Sequence, residues 1–152
     1  KQGLLTIKEL KGKTVNPKMA NFKNTEGFRL PTEIEWEWFC RGGEVAIEQG
    51  TFDYKYSGSD NIDEVAWYIE NSNYFIQDVG LKKPNQLGLF DCSGNIWEWC
   101  FNKNESTKNN NYRRIKGGSW FSEASWCSVL PRFCYNSIYS SKEIGFRIVR
   151  TV

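Results

Sequence analysis

The sequence predicts one α+β domain, with one clear helix and several short strands set among long irregular loops. Three observations lead there. Residues 29–41, RLPTEIEWEWFCR, carry the start signals of a helix, and the glycine pair that follows them is its stop. Residues 96–100, IWEWC, alternate with the period of a strand. Elsewhere Gly, Asn, Ser and Asp recur too often for any sustained period.

Residues 1–28 are polar and broken by Gly12, Pro17 and Gly27, while Leu4, Leu5, Ile7 and Leu10 suit a short strand or half a turn of helix. We take 1–27 as a polar segment packed on the same domain and 28–152 as the domain itself. In the helix Thr32 is the N-cap and Glu35 completes a capping box. Glu33, Glu35 and Glu37 favour its positive end, and Gly42-Gly43 stops it. Ile34, Trp38 and Arg41 follow one face, and Trp36, Phe39 and Cys40 an adjacent one, which gives a broad apolar stripe. Residues 44–87 read as irregular connections, with a short strand or turn over Val65–Ile69. LGLF at 87–90 precedes a turn at 91–95. In the strand that follows, Ile96, Glu98 and Cys100 share one face and Trp97 and Trp99 the other. Residues 101–111 are expected to be a polar loop. Gly117-Gly118 implies a bulge or a close backbone approach. Residues 121–143 show no period, and IGFRIV at 144–149 reads as a final strand.

Composition narrows the function. With 39% hydrophobic and 25% charged residues, the 152-residue chain can build a packed core. Lys and Arg total 20 against 18 Asp and Glu, a net charge of +2, so nucleic acid and anionic membranes are not expected partners. No apolar run is long enough for a transmembrane segment. Histidine is absent, which removes the usual general base and the commonest transition-metal ligand. None of the five cysteines, Cys40, Cys92, Cys100, Cys127 and Cys134, forms a CxxC pair, which argues against zinc. Cys40, Cys92 and Cys100 read as small buried hydrophobes.

FRLPTEIEWEWFCRGG, KKPNQLGLFDCSGNIWEWC, IKGGSW and IGFRIV occur in this order from Phe28 to Val149. Together they resemble the formylglycine-generating-enzyme (sulfatase-modifying factor) domain. The resemblance implies a C-type-lectin-like fold with few helices, short antiparallel strands and long irregular loops. It also implies that this chain is the C-terminal part of a longer protein.

The enzyme of that family oxidises a substrate cysteine with copper held by two thiolates, and soft Cu(I) requires sulfur. The resemblance puts those positions at Ser122 and Cys127. One thiolate is missing, so we expect no such catalysis and no required cofactor. A structural calcium ion is the remaining cofactor expectation. Its ligands would be the Asp91 and Glu98 carboxylates and the Gly94 and Ile96 carbonyls. Otherwise Asp91 caps its turn and Glu98 is paired or solvated.

The C-terminal pattern is also similar to the variable proteins of diversity-generating retroelements. These keep the lectin-like scaffold and diversify one stretch by mutating adenines in template Asn codons. Here that stretch falls within about 113–149: GGSW at 117–120, Ala124, Cys127, Arg132, FCYNS at 133–137 and IGFR at 144–147. Phe, Tyr and Trp offer rigid contact area, while Ser and Asn adapt their hydrogen bonds. We expect Phe121, Ser122, Ser125, Phe133, Tyr135, Asn136 and Tyr139 to contact a protein or other macromolecular ligand, with Trp126 a fixed aromatic beside them. Trp126, Glu123 and Lys142 cannot arise from a mutated Asn codon ending in C or T. The resemblance implies display at the cell surface or outside the cell. The alternatives are an oxidase with an altered metal site, a calcium-dependent carbohydrate-binding lectin, and a purely structural or partner-docking domain; Phe121, Phe133, Tyr135 and Tyr139 would otherwise fill a core.

Overall fold

The computed structural model describes residues 27–103 and 111–151. The strand expected of Leu4, Leu5, Ile7 and Leu10, and the packing of the N-terminal segment, lie outside the described residues. The elements run β1 (Gly27–Arg29), α1 (Glu33–Cys40), α2 (Gly43–Glu48), α3 (Ile62–Val65), β2 (Ala66–Trp67), β3 (Ser93–Gly94), β4 (Trp97–Lys103), β5 (Tyr112–Lys116), a 3₁₀ turn (Ala124–Cys127), β6 (Arg132–Asn136), β7 (Ile144–Gly145) and β8 (Val149–Thr151). The largest sheet has the order β6-β5-β4-β7, and β1-β8 and β2-β3 form two-stranded sheets. Two pairings, β2-β3 and β4-β7, are parallel, whereas the expected strands were antiparallel.

Helix α1 forms as its caps require. Thr32 Oγ1 accepts from Glu35 N at 3.2 Å, and Thr32 N donates back to Glu35 Oε2 at 2.8 Å. The same carboxylate receives both Nη atoms of Arg29 at 2.8 and 2.7 Å. Burial pushes the Glu35 carboxyl up, but Arg29 and the Thr32 donors outweigh it and hold the group below its ordinary value of 4.5. The contribution is therefore complete above pH 4.5 and lost as pH falls through the lowered value. Glu35→Gln is expected to cost about 1–2 kcal/mol near neutral pH. Urea titrations should show that gap closing as pH falls below 4.5. A gap constant down to pH 3 would assign the loss to packing.

The helix buries Trp36 and Cys40, which join Cys92, Cys100 and Val129 in one core cluster. Cys40, Cys92 and Cys100 are thus buried hydrophobes, and burial raises the Cys100 thiol. A second cluster collects Tyr56, Val65, Tyr68 and Cys127.

Several elements differ from the sequence reading. Gly42 does end α1, at a φ of 88°, yet it also serves as N-cap of α2, so the connection after α1 is helical. Strand β4 extends through 101–103, residues expected in a polar loop, because pairing with β5 supplies the hydrogen bonds their side chains do not forecast. Strand β6 arises in the aperiodic stretch and pairs along all five of its residues with β5. The expected final strand at 144–149 is two strands: Ile144–Gly145 joins β4, and Val149–Thr151 joins β1. Between them Arg147 turns inward to Glu98.

Candidate recognition surface

The surface begins where β5 ends. Lys116, its last residue, is fully buried, and its Nζ donates to Val129 O and Leu130 O, both at 2.9 Å. Burial lowers the affinity of this ammonium for its proton, and Glu37, 3.9 Å away, opposes that shift. The amine ties down the segment entering β6. Gly118 then adopts a φ of 77°, and a Cβ there would fall 2.7 Å from Cys127 Sγ. This is the close approach that the paired glycines imply.

Ser119 is buried at the centre of a polar knot. Its hydroxyl donates to Glu143 Oε2 at 2.8 Å and lies 3.1 Å from Ser122 Oγ. Its backbone N–H donates to Ser122 Oγ at 2.9 Å. Glu143 O in turn accepts from Trp97 N at 2.7 Å. Loop 119–122 is thereby fastened to the strand below and to the segment before β7. Glu143 had no sequence signal, since its role depends on a contact across 24 residues.

From this base a row of rings runs outward. Trp97 is buried, and the Trp126 ring meets it edge-on at 6.2 Å. Trp126 contacts Phe133 at 5.9 Å, Phe133 contacts Tyr135 at 5.4 Å, and Tyr135 stacks on Tyr139 at 4.8 Å and 11°. Phe133 and Tyr135 share a face because they are two apart in β6, an edge strand. On the other side of the 3₁₀ turn, Phe121 packs on Trp120 at 5.4 Å. Phe121, Trp126, Phe133 and Tyr139 are between 40% and 50% exposed, so they do not fill a core.

The remaining residues expected at the site divide. Ser125 is exposed and Tyr135 half-buried. Ser122 is half-buried, with its hydroxyl committed to Ser119, so it shapes the loop. Asn136 is also half-buried; its Oδ1 accepts from Ile138 N at 3.3 Å and its carbonyl from Tyr139 N at 2.8 Å, which builds the turn that presents Tyr139.

Ser122 and Cys127 together offer one hydroxyl and one thiol. Cys127 is fully buried, and burial alone pushes its thiol up to about 12, so it stays protonated near neutral pH. Among the described residues no three Cys, Asp or Glu gather as a metal cluster. Both carboxylate oxygens of Glu98 accept hydrogen bonds within the chain. Its Oε1 accepts from Arg147 Nη2 at 2.8 Å, and its Oε2 from Arg147 Nε at 3.1 Å and Trp36 Nε1 at 2.7 Å. Asp91 Oδ2 accepts from Gly80 N at 2.8 Å.

Residues 10–152 match the sulfatase-modifying factor enzyme 1-like domain. The chain belongs to this family. Relatives of this sulfatase-modifying-factor domain include the chaperone protein LppX of Paenibacillus barcinonensis, 34% identical over 85% of this chain and 51% of its own. The formylglycine-generating enzyme of Thermomonospora curvata is 30% identical over 80% and 48%. Among solved structures, Treponema denticola variable protein 1 superposes with a TM-score of 0.72 at 34% identity, over 82% of this chain and 48% of its own. The chain thus spans about half the length of these relatives. The fold is the lectin-like one of the formylglycine-generating-enzyme type, and the family joins proteins named as enzymes to others named as a chaperone and a variable protein. No helix among the described residues is long and apolar enough to cross a membrane.

Proposed function

We propose that this domain is a variable binding protein of a diversity-generating retroelement, presenting Phe121, Ser125, Trp126, Phe133, Tyr135 and Tyr139 to a macromolecular partner at the cell surface. The observation that carries the reading is the ring row from buried Trp97 to Tyr139. Its inner end is core and its outer end is open. Rings stacked on one another lose little freedom on binding, and the knot at Ser119 fixes the adjoining loop beforehand. Aromatic residues on such a platform are the usual anchors of protein interfaces. The likeness to a variable protein supports the same reading. Copper-dependent oxidation is not the reading favoured, because Ser122 lacks a thiol and the Cys127 thiol is core.

Sequencing this gene in related isolates is the test. Differences are expected to concentrate within 121–141. A near-identical downstream repeat should carry Asn codons at those positions, beside a reverse-transcriptase gene. Differences scattered evenly through the domain would overturn the proposal. A surface built to vary must also be dispensable for folding. Replacing Phe121 and Tyr139 together with Ser is expected to lower stability by no more than about 1 kcal/mol, measured by urea unfolding.

A further inference from the structure

A second loop stands beside the ring row, outside the stretch read as variable. Tyr74 and Phe75 are 61% and 70% exposed, and Ile76 follows them, also exposed. The Tyr74 ring lies 6.2 Å from that of Phe121, at 57°. The rings of Trp120, Phe121 and Tyr74 therefore adjoin in sequence. Patches of this kind on a folded domain mark interaction sites more often than single exposed rings do.

The loop is held in place by the same backbone that carries the variable segment. Ser72 is fully buried and its hydroxyl donates to Trp120 O at 2.8 Å. Asn95 joins the two loops: its carbonyl accepts from Trp120 N at 2.7 Å, and its side chain exchanges two hydrogen bonds with the Gln77 backbone, at 3.0 and 3.1 Å. Gln77 Nε2 closes the loop on Ser72 O at 2.7 Å. Ile69 N donates to Ser122 O at 3.1 Å. Within this frame Asn73 and Tyr74 take φ values of 55° and 62°. A tyrosine in that region is strained and persists only where its surroundings impose it. Here the imposed conformation sends an aromatic ring into solvent beside Phe121.

We infer that Tyr74 and Phe75 form a fixed half of the recognition surface, supplying contact area to a folded protein partner whichever residues occupy the variable half. The inference rests on the recognition reading above. A protein is the partner class that fits, because neighbouring aromatic rings exposed by half or more give the desolvated anchors of a protein interface. No acid–amide sugar-binding pair such as Glu-Pro-Asn accompanies it. The fixed wing also answers a difficulty of diversified binders, since sequences with few aromatics at 121–139 would still keep two anchors.

The test uses the full chain displayed with residues 121, 125, 133, 135, 136 and 139 randomised, selected against hen egg-white lysozyme as probe. Selected binders are then remade with Tyr74→Ser and Phe75→Ser, singly and together. Expected is a loss of tenfold or more in lysozyme affinity for most binders, with unfolding midpoints preserved. Ser72→Ala, which frees the loop and leaves both rings, should weaken binding less than the ring substitutions do. Binders that keep their affinity without either ring would overturn this inference alone. A library with no binders would overturn both it and the recognition reading.

Discussion

Gly94→Ala is expected to abolish the fold or to remove about 4 kcal/mol or more of its stability, a large share of what a domain of this size holds. Gly94 sits in β3 with a φ of 73°, and its N–H donates to Gly117 O at 2.7 Å. A Cβ there would collide with Trp67 O and lie 2.9 Å from Trp67 N. Those are backbone atoms of β2, so no rotamer change can clear them. The same Trp67 carbonyl accepts from Asn95 N at 2.7 Å, and Asn95 anchors Trp120. Moving β2 aside would disturb the hydrogen bonds beneath the 119–122 loop as well as one strand pair. Gly88→Ala separates strain from collision. Gly88 has a φ of 75°, but nothing lies within 4 Å of its missing Cβ. It should cost only about 1 kcal/mol. Urea unfolding of the two variants measures the difference, and equal losses would show that conformation alone sets the cost.

Local chemistry in the sequence accounts for α1 and for the core of β4. Thr32, Glu35 and the glycine pair signal within a few residues, and IWEWC alternates on its own. The glycines at 117 and 118 announce a close approach without naming Cys127 as its partner. Strand β6 is not legible locally, because it exists by pairing Phe133 with Ile115 and Tyr135 with Arg113. The recognition surface is proposed from composition and resemblance; Phe121, Phe133 and Tyr139 are exposed, as a contact role would require. Ser122 and Asn136 fit it less well, because short polar side chains near a tight turn satisfy their own backbone first. Tyr74 and Phe75 were not among the residues expected there. Two aromatics in a polar loop carry no sign of orientation, and their position depends on Ser72 reaching Trp120 across 48 residues.

Glu98→Ala is expected to cost about 2–3 kcal/mol, because it strips the partner from a half-buried guanidinium and from a buried indole N–H. Glu98 is 4% exposed and holds two nitrogens of Arg147 together with the Trp36 indole N–H. Arg147 reaches one further acceptor, Phe90 O at 2.8 Å, which cannot neutralise its charge. Trp36 is fully buried, so its N–H would be left unpaired as well. Arg147→Met alone should also be costly, since it leaves the carboxylate with only the indole donor. Glu98→Leu with Arg147→Met should recover much of the loss, because two apolar side chains avoid the desolvation that a lone charge suffers. The same experiment decides what the carboxylate is for. If it serves the ion pair, EGTA leaves the urea midpoint of the unaltered chain unchanged and the double variant approaches it. If EGTA lowers that midpoint and calcium restores it, Glu98 belongs to a metal, and Arg147 must swing away from it when the ion binds.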